Sequence, residues 1–175
     1  MSCVAPAHCQ VTDVRRRAFT LVEIMVVVSI IGLLAAVAIQ SLLRSRAVSM
    51  ETAAIANLRT LTSSLEMYQA SNSGYPDAWQ AEMYTNANPT FGPPTFNTAM
   101  ASSLVQGYLY TYTPLPAGCS STCSAYTLSG VPQLPGLTGT RALFVDRSGI
   151  IRHCTGPGTA DATDQPIEQP PAPCG

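Results

Sequence analysis

The chain has 175 residues, enough for one compact domain with a modest core plus one extended element, and too few for two comfortable domains. Its 46% hydrophobic and 11% charged residues average over two unlike regions, because the apolar residues gather near the N-terminus. Lysine is absent, and beyond Ala18 six arginines face nine acidic residues, a balance that carries no nucleic-acid signal.

The first 18 residues hold Cys3, Cys9 and the cluster Arg15-Arg16-Arg17. From Phe19 to Ile39 the run FTLVEIMVVVSIIGLLAAVAI is broken by a single ionisable side chain, Glu23. As a helix it is about 31 Å long, the thickness of a bilayer core. The arginines ahead of it place the N-terminus in the cytoplasm and the rest of the chain outside, although Arg44 and Arg46 reduce the asymmetry. Cys119, Cys123, Cys154 and Cys174, in a Pro/Gly/Ser-rich C-terminal half, agree with an oxidising, extracytoplasmic compartment.

Three ordinary readings of this segment compete: a secretory signal cut after Ala36-Val37-Ala38, a twin-arginine signal at Arg16-Arg17-Ala18-Phe19, and a plain anchor. All leave Glu23 unexplained, since a carboxylate in an apolar span costs roughly 2.5 to 3.5 kcal/mol and usually marks function. The run is also longer than the core of a cleaved signal, usually about 7 to 15 residues. Gly32, Ala35 and Ala36 would let helices approach closely.

The stretch Arg17-Ala18-Phe19-Thr20-Leu21-Val22-Glu23-Ile24-Met25 resembles the prepilin cleavage and methylation motif of type IV pilins and type II secretion pseudopilins. The resemblance implies that prepilin peptidase cuts between Ala18 and Phe19 and methylates the new Phe19 amine, so that Glu23 becomes the fifth mature residue. Ala18 stands where the family usually has glycine, and Gln40 where many relatives have a proline. The partners implied are identical subunits in a helical filament, prepilin peptidase, an inner-membrane assembly platform and an outer-membrane secretin. Location follows: single-pass in the bacterial inner membrane before assembly, then an extracellular pilus or periplasmic pseudopilus. The charges fit such a polymer, because Phe19 and Glu23 lie about 6 Å apart along a helix. The amine of one subunit can meet Glu23 of an axially displaced neighbour, a buried polar pair acting as a register device.

Past the membrane run, Val48, Ile55, Leu58, Leu61, Leu65 and Tyr68 form a helical stripe, and Gly74 followed by Pro76 supplies the stop. The stripe has no sustained heptad, so it belongs against a sheet. Leu65 to Tyr68, leading to Tyr75-Pro76, also resembles the helix end of major pseudopilins. Residues 76–106 read as a connecting loop, with a short helix expected around Ala99 to Val105. Its aromatics, Trp79, Tyr84, Phe91 and Phe96, are read as pins holding the loop to the domain in preference to a ligand-stacking surface. Tyr108 to Thr113, Ser124 to Leu128 and Arg141 to Val145 are β-prone, and Asp146-Arg147-Ser148-Gly149 turns into Ile150 to His153.

The expected fold class is α+β, a pilin fold: one helix over about 19–71 whose C-terminal half packs on a sheet of three or four antiparallel strands. The expected divisions are a leader at 1–18, a membrane and filament-core half-helix at 19–40, an amphipathic half at 41–75, the connecting loop at 76–106, the sheet at 107–154 and a Pro-rich C-terminal loop at 155–175.

Four mature cysteines allow three pairings, and the sequence does not choose among them. The resemblance favours Cys154 with Cys174, the C-terminal disulfide loop of many type IV pilins, which leaves Cys119 with Cys123. Asp161, Asp164 and Glu168 are the calcium candidates, a ligand implied by the likeness to major pseudopilins; the loop signature is absent and a solvated acidic tail is preferred. A zinc site of thiols with His153 suits neither the spacings nor an oxidising compartment. His153 is expected to be a solvent-facing strand-end residue. No nucleophile motif or phosphate cradle accompanies it, so no cofactor and no enzymatic activity are expected. The reading is a structural subunit of a type IV pilus-like filament, with a type II secretion major pseudopilin as its alternative. An exported soluble, disulfide-bonded binding protein or hydrolase is the rival from another class.

Overall fold

The computed structural model describes residues 19–120 and 123–175. The expected leader, with Ala18 and the arginine cluster, lies outside the described residues.

Helix α1 runs over Leu21–Asn72 without a break. Thr20 caps it: the Glu23 amide donates to Thr20 Oγ1 at 3.2 Å, and Thr20-x-x-Glu23 is the pattern of a capping box. Serine and threonine along the helix turn their hydroxyls back on carbonyls four residues earlier, as Ser29 does on Met25 and Thr60 on Ala56, so they need no outside partner. The helix passes through Gln40. Ser73, at φ 62°, makes the left-handed turn that ends it, one residue ahead of the glycine expected to do so.

The chain divides into a unit ending at Ile39 and a unit of Gln40–Gly175. In the first, every described side chain is exposed, including Phe19, Leu21 and the valine run 26–28. A helix apolar all round is a membrane or assembly element. In the second, α1 buries Ala47, Glu51, Ala54, Leu58, Leu61, Leu65 and Tyr68, spaced alternately by four and three. Val48, expected on this stripe, is 61% exposed, because the spacing counted back from Leu58 falls on Ala54, Glu51 and Ala47.

The sheet is ordered β1(Ala101–Val105), β2(Tyr108–Leu115), β3(Ala125–Pro132), β4(Arg141–Asp146), β5(Arg152–Thr155), β6(Gln165–Pro166), all antiparallel neighbours. A seventh strand, β7(Ala172–Pro173), pairs with β5 in parallel. Strands β2 to β5 are the four read from the sequence; β1 and the two short tail strands make the sheet larger than the three or four expected. The short helix expected around Ala99 to Val105 is instead strand β1, with Leu104 opposite Leu109 and Val105 opposite Tyr108. Ser102 and Ser103 are poor helix formers, and pairing with β2 decides the state.

Tyr108, Tyr110 and Tyr112 alternate inward along β2 and meet Leu58, Leu61 and Leu65 of α1 in one core with Tyr126, Leu128, Leu143 and Val145. At the β4 to β5 turn, Asp146 Oδ1 accepts the Ser148 amide at 2.8 Å, and Gly149 takes φ 72°.

Candidate assembly helix and the contacts that hold the head

Phe19 is 75% exposed, and Glu23 lies on the first turn of α1 among exposed apolar side chains. Between Phe19 and Leu43 it is the sole charged residue. Phe19 stands just ahead of the helix and Glu23 is four residues on in sequence, so both lie at the head of an apolar rod. Among the described residues no side chain pairs with the Glu23 carboxylate, and Phe19 and Glu23 are both exposed. Gly32 would meet nothing within 4 Å if it carried a Cβ, so close approach by another helix is open there. Ala18, the expected cleavage residue, lies outside the described residues.

Beyond this segment the side chains are occupied in holding the fold. Cys154 pairs with Cys174, with Cα atoms 4.9 Å apart, and closes the Pro-rich tail onto β5. The Cys174 amide donates to the Thr155 carbonyl at 2.9 Å beside it. Cys119 pairs with Cys123 across four residues, and Cys123 exchanges two backbone hydrogen bonds with Tyr75, just after α1.

Glu51 of α1 reaches β4. Its Oε1 binds Arg141 Nε, and its Oε2 accepts from the Thr140 amide and hydroxyl, each at 3.2 Å. The Arg141 guanidinium donates in turn to His153 Nδ1 at 3.1 Å, and His153 Nε2 meets the Gln169 carbonyl at 2.9 Å. A guanidinium can only donate, so Nδ1 accepts and the proton sits on Nε2. His153 is fully buried, which corrects its reading as a solvent-facing residue. The tail folds back over β5 and covers it, an arrangement that the strand pattern does not carry. The sequence reading passed over Glu51 and Arg141; the available signal was Glu51 at the four-then-three spacing of the buried stripe.

Asp161, Asp164 and Glu168 do not converge. Asp161 Oδ1 accepts the Thr163 hydroxyl and amide, each at 2.7 Å, and Asp164 Oδ2 accepts the Asp161 amide. The bonds from Thr163 hold the Asp161 carboxyl below the usual carboxylate range. Among the described residues no three His, Cys, Asp or Glu side chains come together as a metal site. Trp79, Tyr84 and Phe96 are buried; Trp79 Nε1 donates to the Phe96 carbonyl and Tyr84 to that of Pro93, each at 2.9 Å. Phe91 packs edge-on against Tyr68 of α1. The four rings pin the connecting segment.

Residues 14–39 match the family model described as the prokaryotic N-terminal methylation motif. The chain is 35% identical over 79 residues to the type II secretion system core protein G of Pectobacterium carotovorum, an alignment covering 45% of this chain and 51% of that protein. It is 34% identical over 87 residues to the type IV wide pilus major component PilA4 of Thermus thermophilus, covering 50% and 66%. It is 40% identical over 63 residues to the type IV major pilin PilA of Myxococcus xanthus, covering 36% and 29%. The chain thus spans about half the length of the secretion-system relatives it matches. No solved structure matches it. With the methylation motif at the head of an exposed apolar helix and a disulfide-tied antiparallel sheet behind it, the chain belongs to the family of type IV pilins and type II secretion pseudopilins.

Proposed function

We infer that this chain is the structural subunit of a type IV pilus-like filament, cut between Ala18 and Phe19, methylated at Phe19 and polymerised through its N-terminal helix. The observation that carries the reading is the segment 19–39, exposed at every position and interrupted by Glu23 alone. In this reading residues 1–18 are the cytoplasmic leader, 19–40 the membrane span and later the filament core, and 41–75 the amphipathic half of the helix. The loop at 76–106, the sheet at 107–154 and the tail at 155–175 form the exposed head. Prepilin peptidase processes the chain in the inner membrane; an assembly platform there and an outer-membrane secretin serve the filament. Its work is structural, through self-association of helices, and no catalytic step is assigned to it.

The closure of the tail by Cys154–Cys174 supports a pilus. The likeness to core protein G supports the second reading, a periplasmic pseudopilus. Electron microscopy of sheared filaments with peptide identification separates the two.

The test of the primary reading is mass spectrometry of the mature N-terminus joined to one substitution. N-methylated Phe19 is expected, and Glu23→Ala should give a processed, folded, membrane-held subunit whose filaments fall at least tenfold. Normal filaments from that variant would remove Glu23 from assembly. A mature chain beginning at Val37 or Ile39 would instead indicate an exported soluble protein.

A further inference from the structure

Four aromatic rings of the head stand in line. Trp79, the one tryptophan of the chain, has its ring centroid 5.3 Å from that of Tyr112. Tyr112 stacks on Tyr126 at 6.2 Å, and Tyr126 meets Tyr75 edge-on at 4.7 Å. All four side chains are buried, so the line runs through packed core with its π-systems in contact. At one end Trp79 lines a groove of about 370 Å³ together with Ala78, Met100 and Pro114, which gives a small solute a way to the indole. At the other end the Tyr75 phenol donates to Glu66 Oε1, on an exposed residue of α1.

The four rings differ in where a proton can go. Taking an electron from an indole or a phenol makes its N–H or O–H strongly acidic, and the radical settles where a base accepts that proton. Trp79 Nε1 donates to the Phe96 carbonyl and Tyr112 to that of Pro76, and a peptide carbonyl is too weak a base for the task. The Tyr126 hydroxyl meets no acceptor. Burial pushes the Tyr112 and Tyr126 phenols up, as it does for groups that keep their protons. Of the four rings, Tyr75 alone faces a carboxylate, at 2.9 Å. We propose that an oxidising equivalent entering at Trp79 passes along these rings to Tyr75 and rests there, the phenol's proton going to Glu66. A small one-electron oxidant, itself a radical, takes one electron from Trp79. One electron then moves from Tyr75 through the Tyr126 and Tyr112 rings to the indole radical cation, and the Tyr75 Oη proton moves to Glu66 Oε1. The products are intact Trp79, a neutral tyrosyl radical at Tyr75 and a protonated Glu66, which returns its proton to water. The line thus clears one-electron oxidation from the groove wall and delivers it to the Glu66 end. It belongs to the head alone and does not depend on how the chain assembles.

The experiment is pulse radiolysis of the full chain in non-ionic detergent at neutral pH, with the azide radical as oxidant because it attacks indole in preference to phenol. The tryptophanyl absorption should decay into tyrosyl absorption in a first-order step whose rate does not change with protein concentration. Tyr75→Phe should lower the tyrosyl yield at least fivefold and lengthen the tryptophanyl lifetime. Glu66→Gln, a change at an exposed position that leaves the phenol in place, should slow the transfer at least fivefold. Tyr126→Phe keeps the ring and drops the hydroxyl, and should leave the rate within twofold. Transfer that ignores Glu66→Gln overturns the proposal whatever Tyr75→Phe does. The Tyr68 phenol also has a carboxylate neighbour, Glu82, but its ring contact is with Phe91, off this line. Transfer lost in Glu82→Gln and kept in Glu66→Gln would make Tyr68 the terminus and overturn the assignment to Tyr75. A tryptophanyl radical that disappears only by second-order recombination overturns the relay itself.

Discussion

Glu51 is buried on the inner face of α1, where Arg141 and Thr140 occupy both of its oxygens, whereas Glu23 stands exposed on the same helix. A carboxylate satisfied inside its own chain contributes to the fold; one left on an apolar rod needs a partner from elsewhere. The tyrosines show the same rule for hydroxyls. Burial first, and then the Glu66 carboxylate that accepts its hydrogen bond at 2.9 Å, push the Tyr75 phenol up to about 12. Tyr112 donates to the Pro76 carbonyl at 2.7 Å in the buried core, so Tyr112→Phe orphans that carbonyl and should cost about 1 to 3 kcal/mol. The Tyr126 and Thr62 hydroxyls are buried neighbours, but neither meets hydrogen-bond geometry. Tyr126→Phe removes a desolvated, unpaired hydroxyl and should leave stability within about 0.5 kcal/mol or raise it. Urea unfolding of the two variants checks this, and an equal loss in both would refute the distinction.

Among the elements, the tail depends most on covalent closure, because β6 and β7 have two residues each and two of those four are prolines. The Cys154–Cys174 link closes a sequence separation of 20, and Cys119–Cys123 one of 4. By loop-closure entropy the first contributes about 3 kcal/mol and the second about 2. Replacing Cys154 and Cys174 by serine should therefore lower the thermal midpoint by roughly 10 °C, more than the same change at Cys119 and Cys123. Calorimetry of the two double variants decides, and a reversed order would remove loop length as the cause. The same short strands mark the limit of what periodicity reveals. The alternation of Tyr108, Tyr110 and Tyr112 and the stripe from Leu58 to Tyr68 are long enough to state a period, and both elements were legible. A two-residue strand has no period, β1 is fixed by its partner β2, and the burial of His153 depends on the tail returning from far along the chain. At the N-terminus the exposed apolar run and its lone acid were legible because the bilayer requirement is local and does not wait on tertiary contacts. The sheet edges add a point that no sequence pattern disclosed. At one edge β1 carries a bulge with Ser102 at φ 69°, and at the other the tail strands hold Pro166 and Pro173, so both edges resist adding a further strand.

At the scale of the whole molecule, both sheet edges are blunted and the exposed apolar side chains of the described residues gather on the segment from Phe19 to Ile39. Among the described residues, all buried hydrophobic ones lie at or beyond Ala47, while the side chains from Phe19 to Ile39 are exposed. The core of the Gln40–Gly175 unit is built from described residues of that unit itself. Among the described residues, deleting 1–39 removes no buried side chain, no disulfide and no part of the Glu51–Arg141 pair. The shortened chain, produced in an oxidising compartment, should unfold cooperatively within about 3 °C of the full chain in detergent, since no term in its stability has changed. It should also be monomeric by light scattering at concentrations where the full chain, out of detergent, assembles or aggregates, because exposed apolar surface drives that association. A shortened chain that fails to fold would place part of the core's support in the first 39 residues, and one that still polymerises would place the assembly contacts on the head. Each result removes a different half of the division of labour: apolar surface kept bare for neighbouring helices, and a head complete without it.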